Sequence, residues 1–251
     1  MSSRSASRLL PFIFVFVGSY VASYLFFFLP VLLPAGTLGF ISIIVALPSL
    51  YYLSRWTGLK TALLVFVILS GMVIIIEGFG VLSGFPYGSF FYTDLTGFKL
   101  FGVVPWTIAF AFIPLLLGIF VIILNYFKTL WKVVLLTALL LMCVDLVLDP
   151  VYVYLGIWIW ITPGIYYGVP LSNFGGWIFT GLITAFVLFA LLQWKSVDSK
   201  DPPIFIALSL ILTLAFWSGY ILWAGLVIPF ALSVILLGFF VFSVIRFWPT
   251  D

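Results

Sequence analysis

Asp145 and Asp149 lie four residues apart in an apolar run, a spacing that puts both carboxylates on one face of a helix. Glu77 stands near the end of a second apolar run. At 1.5 Å of rise per helical residue, Glu77 is about 25 Å along its run from Lys60, Asp149 about 25 Å from Lys132, and Asp145 about 20 Å. Three carboxyl groups from two helices are therefore expected in one layer. Acidic side chains at membrane depth are costly and mark function by default. An apolar setting disfavours the charged form of a carboxyl, and close neighbours disfavour joint ionisation. Such a set can keep one member protonated and another ionised at neutral pH, an acid and a base in one place. The structural alternative is that each carboxylate caps a backbone group at a helix end. Three in one layer, with no basic partner nearby in sequence, favour chemistry. Asp94, in Tyr92-Thr93-Asp94 beside Thr96-Gly97, reads instead as a turn residue.

The second group of candidates is aromatic. Tyr87, Tyr92, Trp158, Trp160, Tyr166, Tyr167 and Trp177 fall in or beside Gly/Pro-rich stretches, and Asn173 lies among them. Many of these rings would serve equally as an interfacial belt. As a group they offer a wall for a flat apolar ligand and π faces that stabilise a cation. Asn173 would cap a helix or hold a water or hydroxyl. There is no histidine and one cysteine, Cys143, in an apolar run. That excludes His-based acid–base catalysis and an intrachain disulfide, and leaves no His/Cys cluster for a metal. No nucleotide-binding glycine motif occurs, and no lysine sits in mid-span for a Schiff base. No metal and no cofactor are expected.

The elements that must position these groups are membrane helices. The 251 residues are 65% hydrophobic and 7% charged, against roughly 25% charge in a soluble domain. A span needs about 20 apolar residues, and spans are expected near 10–33, 36–54, 60–80, 103–125, 131–149, 173–194, 203–222 and 225–246. The fold class is thus all-α, a polytopic bundle of about eight spans forming a single integral-membrane domain over 1–251. The apolar run from Leu9 to Leu33 is too long for a signal-peptide core and is expected to be retained. Asp149-Pro150 should end the fifth span, because the residue before proline is pushed out of the α region. Arg4, Arg8, Arg55, Lys60, Lys128, Lys132, Lys195, Lys200 and Arg246 fall on one side and only Lys99 on the other. The positive-inside rule then places both termini in the cytoplasm, with Asp198, Asp201 and Asp251 solvated there. The two long connections, 78–102 and 150–172, lie on the outer side. Both are aromatic and rich in Gly and Pro, so they should fold back over the mouth of the bundle. The units 60–125 and 131–194 echo each other weakly as a parallel repeat. The chain reads as a multi-pass protein of the cell membrane, and its charge of +3 speaks to topology, not nucleic acid.

Glu77, Gly84-Phe85-Pro86-Tyr87-Gly88 with Tyr92, Val104-Pro105, Asp149-Pro150, Gly156-x-Trp158-x-Trp160, Gly164-x-Tyr166-Tyr167-Gly168-Val169-Pro170, Asn173 and Gly176-Trp177 together resemble the carotenoid biosynthesis membrane-protein family. The match covers about 77–177. That family includes hydratases of bisanhydrobacterioruberin and of γ-carotene. The resemblance implies addition of water to a terminal C=C of an acyclic carotenoid. The substrate would enter laterally from the lipid, water would be the second reactant, and other membrane enzymes of the pathway would be neighbours. Asp149 or Asp145 would protonate the alkene to a tertiary carbocation, and Glu77 would take a proton from the attacking water. A carotenoid cyclase or isomerase would use the same acid and exclude water. A prenyltransferase would need basic residues for pyrophosphate, which are missing around these acids. A non-catalytic proton-coupled transporter or lipid-binding protein also fits carboxylates at depth.

Overall fold

The computed structural model describes residues 3–29 and 34–249, with side chains from Arg8 to Pro249. The last residues of the first expected span (30–33) and Asp251 lie outside them. Among the described residues, eight helices are long and apolar enough to cross a membrane. They are α1 (Ser3–Phe28), α2 (Thr37–Thr57), α3 (Leu59–Ser83), α4 (Ile108–Tyr126), α5 (Leu130–Tyr154), α6 (Leu171–Trp194), α7 (Leu208–Trp223, entered by a 3₁₀ turn Ile204–Ala207) and α8 (Val227–Arg246). The protein is an all-α multi-pass membrane protein.

Lipid tails are as apolar as leucine, so burial alone does not join these helices; close approach at small residues and polar pins do. Gly118 of α4 sits against Ala207 and Leu210. Gly181 of α6 meets the backbone of Ala138 on α5, where an added Cβ would lie 2.8 Å from the Ala138 Cα. α4 is the central post, buried along most of its length, while α1 is peripheral and largely exposed.

The long connections are 84–107, between α3 and α4, and 155–170, between α5 and α6. Each contributes one strand to a shared ribbon. β1 (Phe90–Tyr92) pairs antiparallel with β4 (Trp158–Trp160) in the register Phe90↔Trp160, Phe91↔Ile159 and Tyr92↔Trp158. Ile161 N–H donating to Ser89 O and Thr93 N–H donating to Ile157 O extend the ladder at both ends. Alternation along a strand turns Phe90, Tyr92, Trp158 and Trp160 inward and leaves Phe91 and Ile159 outside. A smaller hairpin, β2 (Lys99–Leu100) with β3 (Val104–Pro105), precedes α4. These connections form a cap over one end of the bundle. Lys99 is in the cap, whereas Arg55, Lys60, Lys128, Lys132, Lys195, Lys200 and Arg246 gather at the opposite helix ends.

Two expectations need correction. α3 runs to Ser83, so the first long connection begins at 84 and not at 78, and Glu77 lies well inside the helix. The fifth helix does not stop at Asp149; α5 continues through Pro150 to Tyr154. Proline at 150 cannot donate to the Leu146 carbonyl. The Tyr166 hydroxyl donates to that carbonyl instead, at 2.9 Å. A side chain from the cap thus supplies the bond that proline removes, and the helix survives.

Candidate active site

α3, α5 and α6 deliver their polar residues to one place under the cap. Glu77, Asp145, Asp149 and Asn173 are 7%, 2%, 1% and 2% exposed. Asp145 and Asp149 are one turn apart on α5, and Asn173 faces them from α6. Its side-chain amide nitrogen donates one N–H to Asp145 Oδ2 at 2.8 Å and the other to Asp149 Oδ2 at 2.6 Å. An amide has two donors, and here both are used on two different carboxyl groups. Asn173 is the third residue of α6, and its side chain makes no helix cap.

Glu77 is held differently. The Tyr92 hydroxyl, from β1, donates to Glu77 Oε2 at 2.9 Å. Burial, and next the Glu77 carboxyl beside it, hold the Tyr92 phenol well above its ordinary range, so it stays protonated and serves as donor. Tyr87 is raised in the same way, first by burial and then by Glu77. Its hydroxyl lies near Glu77 but pairs at 2.8 Å with the Thr180 hydroxyl of α6. The Tyr87 ring fills a slot between two glycines. A Cβ on Gly80 would come 2.7 Å from the ring, and one on Gly176 would collide with the ring and lie 2.9 Å from the Pro86 carbonyl.

These groups share a cavity of about 500 Å³. Glu77, Asp145, Asp149, Asn173, Tyr87, Tyr92, Trp158, Trp160 and Trp177 all line it. Among the described residues no lysine or arginine lines it, so no cationic side chain there faces the three carboxyl groups. The aromatics surround the acids. Tyr92 stacks edge-on against Trp158 at 5.9 Å, Trp158 lies over Tyr152 at 4.7 Å, and Trp177 packs on Phe112 at 5.6 Å. The Trp160 indole nitrogen is buried without a hydrogen-bond partner, a donor left over in the cavity wall.

Tyr166 and Tyr167 are not brought to the cavity. Tyr166 braces α5 as described, and burial raises its phenol to about 12. Tyr167 accepts from the Ile228 N–H at 3.3 Å, at the start of α8. Asp94 is exposed and pairs with Lys99 at 3.0 Å. Thr180 and Trp217 carry no mark of their own in the motifs read from the sequence. Thr180 carried a readable signal: Asn173, Gly176, Trp177, Thr180, Gly181 and Thr184 repeat at helical spacing as a small and polar stripe on an apolar helix.

Residues 36–240 match the family described as carotenoid biosynthesis protein. A bisanhydrobacterioruberin hydratase of Haloarcula japonica is 39% identical over 112 residues, 43% of this chain and 38% of that relative. The match thus spans well under half of the relative's length. No solved structure matches.

Proposed function

The chain belongs to the carotenoid biosynthesis protein family, and from that premise we propose that it is a hydratase of the cell membrane that adds water to a terminal C=C of an acyclic carotenoid. The observation that carries the reading is the Asp145–Asn173–Asp149 bridge beside Glu77 in an aromatic cavity without a cation. Hydration of a trisubstituted alkene needs a positioned proton donor, a surface that tolerates a carbocation, and a base for water, and the side chains lining this cavity are of types that can fill all three roles.

In the proposed sequence the Asp145–Asp149 pair holds one proton between two carboxyl groups, as paired acids do. That proton passes to the less substituted alkene carbon. The π electrons form the new C–H bond and leave a tertiary cation. The ring faces of Trp158, Tyr152 and Trp177 lower its energy. Water attacks the cation, and its proton goes to Glu77. Tyr92 orients Glu77 through the donated hydrogen bond. The sum is alkene plus water giving a tertiary alcohol, with one proton moved from the aspartate pair to Glu77 and returned before the next turnover. Tyr87 and Trp160 complete the substrate contacts, and Asn173 fixes the acid pair.

The test is the pigment mass spectrum of a lycopene-producing bacterium with and without this chain. A gain of about 18 mass units per modified end, one water added by acid–base catalysis, is the expected result. An unchanged mass with altered retention means cyclisation or isomerisation by the same acid. No change at all, with purified protein binding carotenoid but leaving it intact, means a carrier.

A further inference from the structure

The cavity that holds the acids is not closed on every side. It extends past Ala111 and Pro114 of α4 to Gly18 and Ala22 of α1 and to Ile41 and Ser42 of α2. Gly18, Ala22 and Ile41 are themselves exposed, so the cavity opens there. A Cβ placed on Gly18 would meet nothing within 4 Å.

The packing explains why a gap persists at this level. α1 leans on α7 and α2 leans on α3 and α4, while among the described residues α1 and α2 barely touch. Near the cap, α1 is pinned to α7 by polar contacts: Tyr20 Oη to Ser218 Oγ at 2.8 Å and Trp223 Nε1 donating to Ser23 Oγ at 3.2 Å. At the same level the start of α2 is held to the cap. Gly36 N–H donates to the Leu95 carbonyl of the cap at 2.9 Å, and Gly39 is pressed against Thr107. At the far end the two helices are joined by a chain of rings, Phe12–Trp248 at 6.3 Å, Trp248–Phe205 at 4.8 Å and Phe205–Tyr52 at 5.5 Å. The cavity reaches this pair at Gly18, Ala22 and Ile41, in the half nearer the cap.

We infer that the open half of the α1–α2 cleft is a lateral door through which a long polyene hydrocarbon enters from the bilayer, one end at a time. This rests on the carotenoid reading above and specifies how the substrate occupies that site. A cavity of about 500 Å³ falls within the ~300–1,000 Å³ that accepts a drug-sized molecule. A conjugated polyene is stiff and cannot coil to fit such a space. Its end group reaches the carboxylates and the rest of the chain stays in the cleft and in the lipid beyond it. The wall of the cleft is small or apolar at Gly18, Ala22 and Ile41, so a flat chain passes without losing contact with hydrocarbon. A substrate modified at both ends must leave and re-enter reversed, and the singly hydrated product accumulates first.

The door is tested with purified protein in liposomes carrying lycopene, which is achiral and shows no circular dichroism of its own. Held in a chiral cavity, it acquires an induced signal in its visible band. Gly18→Cys, in a Cys143→Ala background, is modified with a bulky methanethiosulfonate and then reduced. Modification is expected to slow the appearance of the induced signal at least tenfold, and reduction to restore it, which separates blockage from misfolding. Val234→Cys, on the lipid-facing side of α8, is modified in parallel and should show no slowing. An equal slowing at Val234, an unaffected signal after modification at Gly18, or no induced signal in the wild type would each overturn the door. An induced signal that responds to Gly18 modification, without any gain in mass, would keep the door and remove the hydratase reading.

Discussion

The two acidic centres under the cap are held by different chemistry. Asp145 and Asp149 share one amide, and an amide nitrogen gives its two protons to hydrogen bonds without parting with either. Glu77 has a phenol as its partner, and a hydroxyl both donates and accepts. The first arrangement fixes geometry between two helices packed along their length. The second ties a helix to a three-residue strand of the cap. The difference suits a division of labour, with a rigid acid pair on α5 and an acceptor oriented from the cap.

If that division holds, the largest effects come from the carboxyl groups. Asp149→Asn and Glu77→Gln are each expected to lower turnover by about 10²–10⁴-fold, the usual contribution of a positioned general acid or base. Both proteins should still insert and elute as the wild type does. Hydration at wild-type rate in either variant removes that residue from the mechanism.

Asn173→Leu comes next. It leaves both carboxyl groups in place but takes away the donor they share. The acid pair loses its registration, and a misplacement of about 1 Å costs on the order of 10²-fold. The loss should appear in kcat, with KM little altered, because the apolar wall that binds the polyene remains. A loss confined to KM would make Asn173 a substrate contact and not a brace. Tyr92→Phe should cost less, roughly tenfold in kcat, the equivalent of about 1.4 kcal/mol in the barrier. Glu77 is still present in that variant and lacks only the group that orients it. If Tyr92→Phe proves as damaging as Glu77→Gln, the phenol is an obligatory proton carrier and the two centres differ more than the geometry alone requires.

Much of the frame could be read from the chain. Eight spans follow from hydropathy, and the common layer of Glu77, Asp145 and Asp149 follows from counting helical rise, because both quantities are local. The β1–β4 ribbon could not be found that way. Its strands are three residues each and are separated by the whole of α4 and α5, so their pairing is decided by the helices that bring the connections together. The Asn173 bridge is similar: sequence shows a polar residue at a helix start, which reads as a cap, and only the packing of α6 on α5 turns it toward the aspartates. The place of Tyr166 and Tyr167 in a Gly-rich turn suggests substrate contacts, yet their hydroxyls go to the backbone of α5 and to the start of α8. The same Tyr166 bond explains why the proline rule misplaced the end of α5.

That bond gives the mildest test of the comparison. Tyr166→Phe keeps the ring and removes only the hydroxyl that replaces the proline's missing donor. The Leu146 carbonyl is then unpaired on a helix whose next turn carries Asp149. Net loss of one such hydrogen bond costs about 1 kcal/mol of stability. The acid pair keeps both of its bonds to Asn173, so turnover should fall only about twofold, roughly 0.4 kcal/mol on the barrier. Thermal unfolding in detergent and steady-state hydration measured on the same preparation separate the two quantities. A fall in turnover as deep as that of Asp149→Asn, at undiminished stability, would return Tyr166 to the substrate site. The expected result, a softer helix with a nearly intact rate, would show that the amide bridge alone holds the acids in place.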